Sequence, residues 1–271
     1  MDTHCHSPGL RKLLSVSYII INPCSANSLL VLASATLALA SPLATFGPGS
    51  SCKPGKPAPV LPVNGGATEL PAPPQGVALK HIAFGFGIQN YTCADAAATP
   101  AAIGALAVLY DITHLYPGQG PSSLTPDKWA SFTGDVLSTG KVPLNLNTNG
   151  VGASTTNPFP KKQDLKVQGL QKKLPYLGHH FFNAAGVPTF DLDKANQLLV
   201  CKKLDGIKAP STASAGPDGT GAVDWLYLGD AGGSIGVSYV YRVNTAGGVS
   251  HGCKAKGTDS TSYSALYWFY G

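Results

Sequence analysis

The sequence is poor in charged residues, because Asp, Glu, Lys and Arg together make up only 12% of its 271 positions. Long surface helices need many such residues, so their scarcity argues against a mainly helical protein. The net charge is +5, and the densest basic clusters are the pairs at 161–162, 172–173 and 202–203. None of these pairs is interleaved with aromatic residues, so no nucleic-acid partner is expected.

The chain also lacks an apolar run long enough to span a bilayer. The run at residues 29–40 has the length of a signal-peptide core, and Ala38 and Ala40 are the small residues that a signal peptidase requires. Residues 1–40 are therefore predicted to be a signal peptide, with the true start downstream of Met1 or with an over-extended N-terminus. The protein is expected to be secreted and to have no membrane partner after removal of this segment.

Removal of residues 1–40 leaves four cysteines, Cys52, Cys93, Cys201 and Cys253. An even number in an exported chain predicts two disulfides, for which three pairings are possible. Cys93 ends an early strand and Cys253 precedes the last one, which favours Cys93–Cys253 together with Cys52–Cys201. No CxxC or Cys/His ligand spacing occurs, so neither a metal site nor a cofactor is predicted. Asn90 begins an N-glycosylation acceptor sequence, which is compatible with export.

Glycine and proline are abundant, with 32 and 22 residues, and this favours many turns and short strands. Residues 41–77 are Pro-rich without apolar periodicity and are predicted to form an arm or linker. Residues 78–271 are predicted to form a single β-rich domain. Alternation of apolar residues predicts strands from Leu79, around residues 104–113, and over most of the C-terminal third. The expected fold is all-β, a mainly antiparallel sandwich or barrel with short helical insertions.

The pattern loosens between about residues 115 and 176. Thr125 followed by Pro126 is typical of the start of a helix. The Ser-, Thr-, Asn- and Gly-rich stretch at 145–157 is predicted to be a loop. This long insertion suits either a lid or wall over a site or an ordinary surface excursion.

His179 and His180 come nearest to a reactive group. Adjacent residues on a strand point to opposite faces, so only one of the two histidines faces a given site. With Asp191, Asp111 or Asp224, one histidine could act as a general acid or base or bind a metal. The alternative is that one histidine packs in the core and the other lies on the surface.

The same three aspartates lie within apolar strands, where a carboxylate is costly to bury without a partner. Arg242 is the expected partner, most directly for Asp224, because a Gly-Gly turn at 232–233 makes the two strands neighbours. No Gly-x-Ser-x-Gly motif and no unpaired mature cysteine provides a nucleophile. The aromatic residues dense near the C-terminus could stack on sugars, but in alternating strands they are more often core; they are Tyr239, Tyr241, Tyr263, Tyr267, Trp268 and Tyr270.

Several landmarks together resemble a family of secreted proteins of unknown function, frequent in filamentous fungi and with bacterial relatives. They lie at residues 87–93, 109–113, 178–182, 188–192, 223–226, 240–248 and 263–271. The resemblance covers residues 79–271 and implies an extracellular β-rich domain, without an established activity or known catalytic residues. Fungal members often carry the label malate dehydrogenase. Here the glycines Gly85 and Gly87 are followed by Asn90 and Tyr-Thr-Cys rather than by a helix, so a nicotinamide site is not expected.

The sequence therefore favours a secreted, wall- or matrix-associated β module that recognises an extracellular polymer, such as a polysaccharide, or a host surface. The alternative is an extracellular carbohydrate-active hydrolase or lyase that uses His179 or His180 with one of the aspartates. A purely structural surface protein is a third hypothesis. The oligomeric state is left open.

Overall fold

The structure is a computed structural model, and it describes residues 55–271. The predicted signal peptide, Cys52 and the first part of the predicted arm lie outside these residues. Within them, eight strands form a closed antiparallel barrel in which each strand pairs with its neighbours in sequence and the last pairs with the first. The strands are β1 (Leu79–Cys93), β2 (Ala101–Asp111), β3 (Tyr176–Phe182), β4 (Pro188–Leu192), β5 (Gln197–Ile207), β6 (Trp225–Asp230), β7 (Tyr239–Gly247) and β8 (Gly257–Tyr270).

This architecture confirms the predicted all-β antiparallel class and selects the barrel over the sandwich. The strand β1 closes the barrel, because it pairs along almost its whole length with β2 on one side and with β8 on the other. Closure leaves no free sheet edge along which another chain could add a strand.

Two apolar clusters lie on the two faces of the barrel wall. The inner cluster draws side chains from all eight strands, among them Leu109, Phe190, Leu199, Val240 and Phe269, and these fill the barrel. An eight-stranded barrel is just wide enough for side chains to fill it. The outer cluster joins the other face of β1, β2 and β6–β8 to the helix and loops that cover it. Both cores follow from the period-2 alternation of the sequence.

One α-helix, α1 (Pro126–Thr139), covers the outer face among the described residues. It begins as the sequence predicts: the Thr125 hydroxyl accepts a hydrogen bond from the Lys128 amide, and Pro126 occupies the first turn. Phe132 packs edge-on against Phe84 of β1, with ring centroids 5.2 Å apart. No helix in residues 55–271 is long and apolar enough to cross a membrane.

Residues 55–77, the described part of the predicted arm, have no helix or strand and run against the barrel. The Val60 amide donates to the Tyr116 hydroxyl at 3.1 Å, and the Gln119 side chain donates to the Pro57 carbonyl at 2.6 Å. Leu61, Leu70 and Val77 pack on the outer cluster. This part of the chain therefore contributes apolar surface to the folded unit.

Candidate functional site

A cleft of about 490 Å³ lies over the barrel wall where β1, β2, β3 and β8 meet the loop at residues 147–159. The predicted loop at 145–157 thus supplies one wall of a cavity. The rings that line the cleft are Tyr91, Phe159, Phe181 and Phe182, and the amides and hydroxyls belong to Asn90, Asn147, Ser154, Thr155, Thr258 and Ser260. Asp259 is the one charged side chain among the described residues that line it.

The cleft is open enough for its apolar groups to meet solvent. Phe182 is 37% exposed and Ile103 is 53% exposed, although large apolar side chains usually lie inside a protein. Exposed apolar residues that cluster around a cavity indicate a binding surface more strongly than scattered ones.

One hydrogen bond holds the loop wall to the barrel, and a second continues from it within the barrel wall. The Gly152 amide donates to the Ser260 hydroxyl at 2.9 Å, and that hydroxyl donates to the Asn90 side-chain oxygen at 2.7 Å. Phe159, at the end of the loop, stacks on the His179 ring with centroids 4.0 Å apart and planes 22° apart. These contacts fix the wall before any ligand arrives.

His179 points outward, and its ring supports Phe159 from the side away from the cleft. The Tyr176 hydroxyl lies 3.3 Å from its Nδ1 atom. Burial lowers the pKa of His179 to about 4, although Asp193 opposes the shift. The imidazole is therefore neutral near pH 7, which suits a stacking surface better than a cation.

Asp191 faces His179 across the β3–β4 pair, because the two residues are register partners. No hydrogen bond joins their side chains. Burial raises the pKa of Asp191, with a further contribution from Asp193. The neighbouring Asp193, rather than Asp191, forms an ion pair with Lys162. This pair connects the segment after the loop to the start of the β4–β5 connection. The structure thus brings His179 and Asp191 together without forming a hydrogen-bonded catalytic pair.

His180 points into the barrel, as strand alternation requires. Its Nδ1–H donates to the Thr189 carbonyl at 2.9 Å, and its ring stacks on Phe190 with centroids 4.0 Å apart. The side chain is buried, and burial lowers its pKa to about 4. These contacts place His180 in the core with a backbone partner.

Asp111 and Asp224 lie apart from His179. Asp111 accepts a hydrogen bond from His81 at 2.9 Å and one from the Thr113 amide, and these bonds hold the pKa of its carboxyl below the usual value against the effect of burial. The Asp224 carboxylate pairs with Lys208, whose side chain is almost fully exposed. The five candidate residues therefore do not form a single site.

The predicted ion pair between Arg242 and the Asp224 carboxylate does not form in the structure. Arg242 does turn toward the barrel interior, opposite Tyr267 of β8. Its Nε and Nη2 atoms donate to the main-chain oxygen of Asp224, at 3.1 and 2.9 Å, and no salt bridge to the carboxylate forms. The guanidinium binds a carbonyl because Asp224, the residue just before β6, presents its main-chain oxygen rather than its acidic side chain to the interior.

Asp259, an ionisable residue that was not among the candidates predicted from the sequence, lines the cleft. The Asp259 carboxylate accepts from the His251 imidazole at 2.9 Å, from the His251 amide at 2.9 Å and from the Ser250 hydroxyl at 2.6 Å. These bonds lower its pKa despite desolvation, which acts in the opposite direction. The sequence feature that could have indicated this group is the position of Ser250 and His251 beside Cys253, in the connection that leads to Asp259.

The disulfide Cys93–Cys253 joins the end of β1 to this connection, with Cα atoms 5.5 Å apart. Cys93 lies two residues after Tyr91, which lines the cleft, so the bond is near the candidate site. Cys201 is fully buried inside the barrel, where its thiol donates to the Pro188 carbonyl at 3.3 Å and desolvation raises its pKa to about 12. The Cys52–Cys201 pair stays a prediction, because Cys52 lies outside the described residues.

The C-terminal aromatics form core rather than a sugar-binding surface. Tyr241, Tyr263 and Trp268 are fully buried, Tyr267 and Tyr270 are buried, and only Tyr239 is partly exposed. Among the described residues, the one Phe, Tyr or Trp classed as exposed is Phe182, and it lies at the cleft. Gly85 and Gly87 lie within the continuous strand β1, and a Cβ atom at Gly87 would overlap the Leu106 carbonyl. Close strand approach, rather than a phosphate-binding turn, explains that glycine.

A second depression of about 440 Å³ lies beside α1, lined by apolar residues such as Leu124, Phe132 and Val167 and by polar ones that include Lys128 and Asp135. It adjoins none of the candidate residues and has no comparable set of amides. Among residues 55–271, no group of three or more His, Cys, Asp or Glu side chains is arranged to hold a metal. The cleft is therefore the candidate functional site.

A family model described as a protein of unknown function, DUF3455, matches residues 73–271. The match covers well over half of the chain, so the chain belongs to this family. No curated protein and no solved structure matches the chain.

Proposed function

We propose that this protein is an extracellular binding module that holds a neutral polysaccharide in the cleft. The observation that carries the proposal is the lining itself, in which aromatic rings that are exposed or partly exposed lie together with amides and hydroxyls. The C–H faces of sugars stack on aromatic rings, while their hydroxyls need both donors and acceptors. Asn side chains and Ser or Thr hydroxyls supply both kinds of group.

The charge of the lining selects among polysaccharides. Asp259 is its one charged side chain, and no Lys or Arg is among the described residues that line the cleft. An acidic polymer would bring its carboxylates toward Asp259 without a cation to compensate them. A neutral chain meets no such penalty.

The fixed wall favours binding as well. Gly152 is bonded through Ser260 to the barrel, and Phe159 is stacked on His179. A wall that is already ordered loses little conformational entropy when a ligand binds. The disulfide Cys93–Cys253 beside the cleft supports an extracellular setting, because such bonds persist in oxidising compartments.

Hydrolysis is less well supported than binding. A glycosidase of the usual kind needs two carboxyl groups on either side of the scissile bond. Asp259 lines the cleft, whereas neither Asp191 nor His179 does, and His179 stacks on Phe159. Sugar release from a bound polysaccharide that Asp259→Asn abolishes would favour the hydrolase over the binding module.

The test is binding of the full chain, exported to a bacterial periplasm, to a panel of neutral and acidic polysaccharides. The periplasm allows the disulfide to form, and Asn90 stays unmodified in a host that lacks N-glycosylation. Calorimetry should show binding to a neutral polymer that Phe182→Ala weakens at least about tenfold, or about 1.4 kcal/mol. Leu204→Ala, an exposed apolar residue outside the cleft, is the matched control and should bind as the wild type does. Equal binding by the Phe182→Ala and wild-type proteins would overturn the proposal.

A further inference from the structure

The asparagine of the N-glycosylation acceptor sequence, Asn90, lies in the cleft rather than on a surface loop. Asn90 and Thr92 belong to β1, and Asn90 pairs with Gly104 of β2 on one side and with Ser260 of β8 on the other. Asn90 is half-buried and is one of the residues that line the cleft. A modification at this position would therefore start from the floor of the candidate binding site.

The hydrogen bonds around Asn90 fix which end of its amide is free. Ser260 Oγ accepts from the Gly152 amide, so its own proton is directed to the Asn90 oxygen at 2.7 Å. This bond leaves the nitrogen, Nδ2, with no hydrogen-bond partner in residues 55–271. Nδ2 is also absent from the buried polar atoms that lack a partner, so it reaches solvent. Nδ2 is the atom to which an N-linked sugar attaches.

The surroundings of Nδ2 determine where such a sugar would lie. The strands on either side block an exit through the sheet, and the loop at 147–159 forms the wall above. The first sugar rings would therefore lie among Phe159, Phe181 and Phe182. The cleft volume of about 490 Å³ falls within the usual range for small-ligand sites, about 300–1,000 Å³.

We infer that Asn90 carries an N-linked glycan that occupies the cleft and partly excludes other ligands from it. In the transfer, Nδ2 forms a bond to C1 of an oligosaccharide carried on a lipid pyrophosphate, the C1–oxygen bond to that pyrophosphate breaks, and the amide loses one proton. The transfer precedes folding, because β2 and β8 enclose Asn90 once the barrel has formed. The exclusion of ligand rests on the proposed function, whereas the position of the glycan does not.

Thr92 provides a test that leaves the cleft itself unchanged. It does not line the cleft, and its hydroxyl makes one long bond, 3.3 Å, to the Gly257 carbonyl. Thr92→Val removes the acceptor sequence, while Thr92→Ser retains both the sequence and a hydroxyl. The full chain with each substitution, and the wild type, is secreted from one eukaryotic host.

Mass spectrometry should find a glycan on Asn90 in the wild-type and Thr92→Ser proteins and none in Thr92→Val. The Thr92→Val protein should bind the neutral polysaccharide at least about tenfold more tightly than the other two. An unmodified Asn90 in the wild type would overturn the inference. Equal binding by the glycosylated and unglycosylated proteins would overturn the exclusion of ligand.

A second measurement separates this inference from the proposed function. If no form binds any polysaccharide, the proposed function fails, but the position of the glycan is still measurable. Hydrogen exchange over residues 147–159 should be slower in the glycosylated wild type than in Thr92→Val, because the glycan covers that wall. Identical exchange in the two proteins would show that the glycan lies outside the cleft.

Discussion

Arg242 donates two hydrogen bonds to the main-chain oxygen of Asp224, while the Asp224 carboxylate bonds exposed Lys208 instead. The interaction therefore depends on the main-chain oxygen of the residue just before β6 and not on the acidic side chain of that residue. Tyr267 lies opposite Arg242 on β8, so the guanidinium is held among polar groups of the barrel interior.

Arg242→Leu should destabilise the protein by about 1–3 kcal/mol, because it removes two hydrogen bonds from a charged donor and leaves the carbonyl unpaired. Asp224→Asn should change the free energy of unfolding by less than about 0.5 kcal/mol, because its pair with Lys208 is exposed. Urea unfolding of the single and double variants measures both. A coupling energy above about 1 kcal/mol in the double-mutant cycle would contradict this assignment.

Stability should fall as the pH falls from about 6.5 to about 4, partly because of His180. Its pKa is about 4 in the folded protein and about 6.5 in the unfolded chain. Between these values the unfolded chain binds the extra proton, so acidification favours unfolding, and the contribution is fully present above pH 6.5. One group with this shift accounts for up to about 3 kcal/mol.

His180→Phe should flatten this pH dependence, since a neutral ring can still stack on Phe190. Thermal melts at intervals between pH 7 and pH 4 measure the slope. His114→Asn, at an exposed histidine, controls for the loss of a histidine elsewhere in the chain. The same slope in His180→Phe and in the wild type would show that His180 does not contribute to the acid sensitivity.

Gly87→Ala should prevent folding or cost more than about 4 kcal/mol, because its Cβ would overlap the backbone of β2 at Leu106. Gly120 is the matched control, since a Cβ there meets nothing within 4 Å and its φ is not in the left-handed region. Gly120→Ala should be neutral or slightly stabilising. Circular dichroism and urea unfolding distinguish the two variants, and a stable Gly87→Ala protein would show that β1 and β2 can separate.

Replacing Cys93 and Cys253 together by serine should lower the free energy of unfolding by about 2–5 kcal/mol, because the bond closes a long loop in the unfolded chain. Peptide mapping of the wild type without reductant should yield a Cys93–Cys253 peptide. The same digest tests the predicted Cys52–Cys201 pair. A peptide that links Cys93 to Cys201 would contradict the structure.

The alternation of apolar residues predicted most of the barrel strands correctly, since burial on one face of a strand imposes a period of two. It also placed His179 and His180 on opposite faces, and it identified Thr125 and Pro126 as the start of a helix. It favoured Asp224 as the partner of Arg242, because a Gly-Gly turn at 232–233 makes their strands neighbours. The alternation could not predict whether Arg242 would bind the carboxylate or the main-chain carbonyl of Asp224. That choice depends on the local direction of the chain before β6.

The sequence by itself determined the β class, the paired cysteines 93 and 253 as favoured partners, and the acceptor sequence at Asn90. Only the tertiary structure decided that the sheet closes, because closure rests on the pairing of β1 with β8 from opposite ends of the domain. The cleft likewise required the loop at 147–159 to meet Ser260 of β8 through Gly152. Local periodicity reports which face of a strand is buried, but it carries no information about which distant segment covers that face.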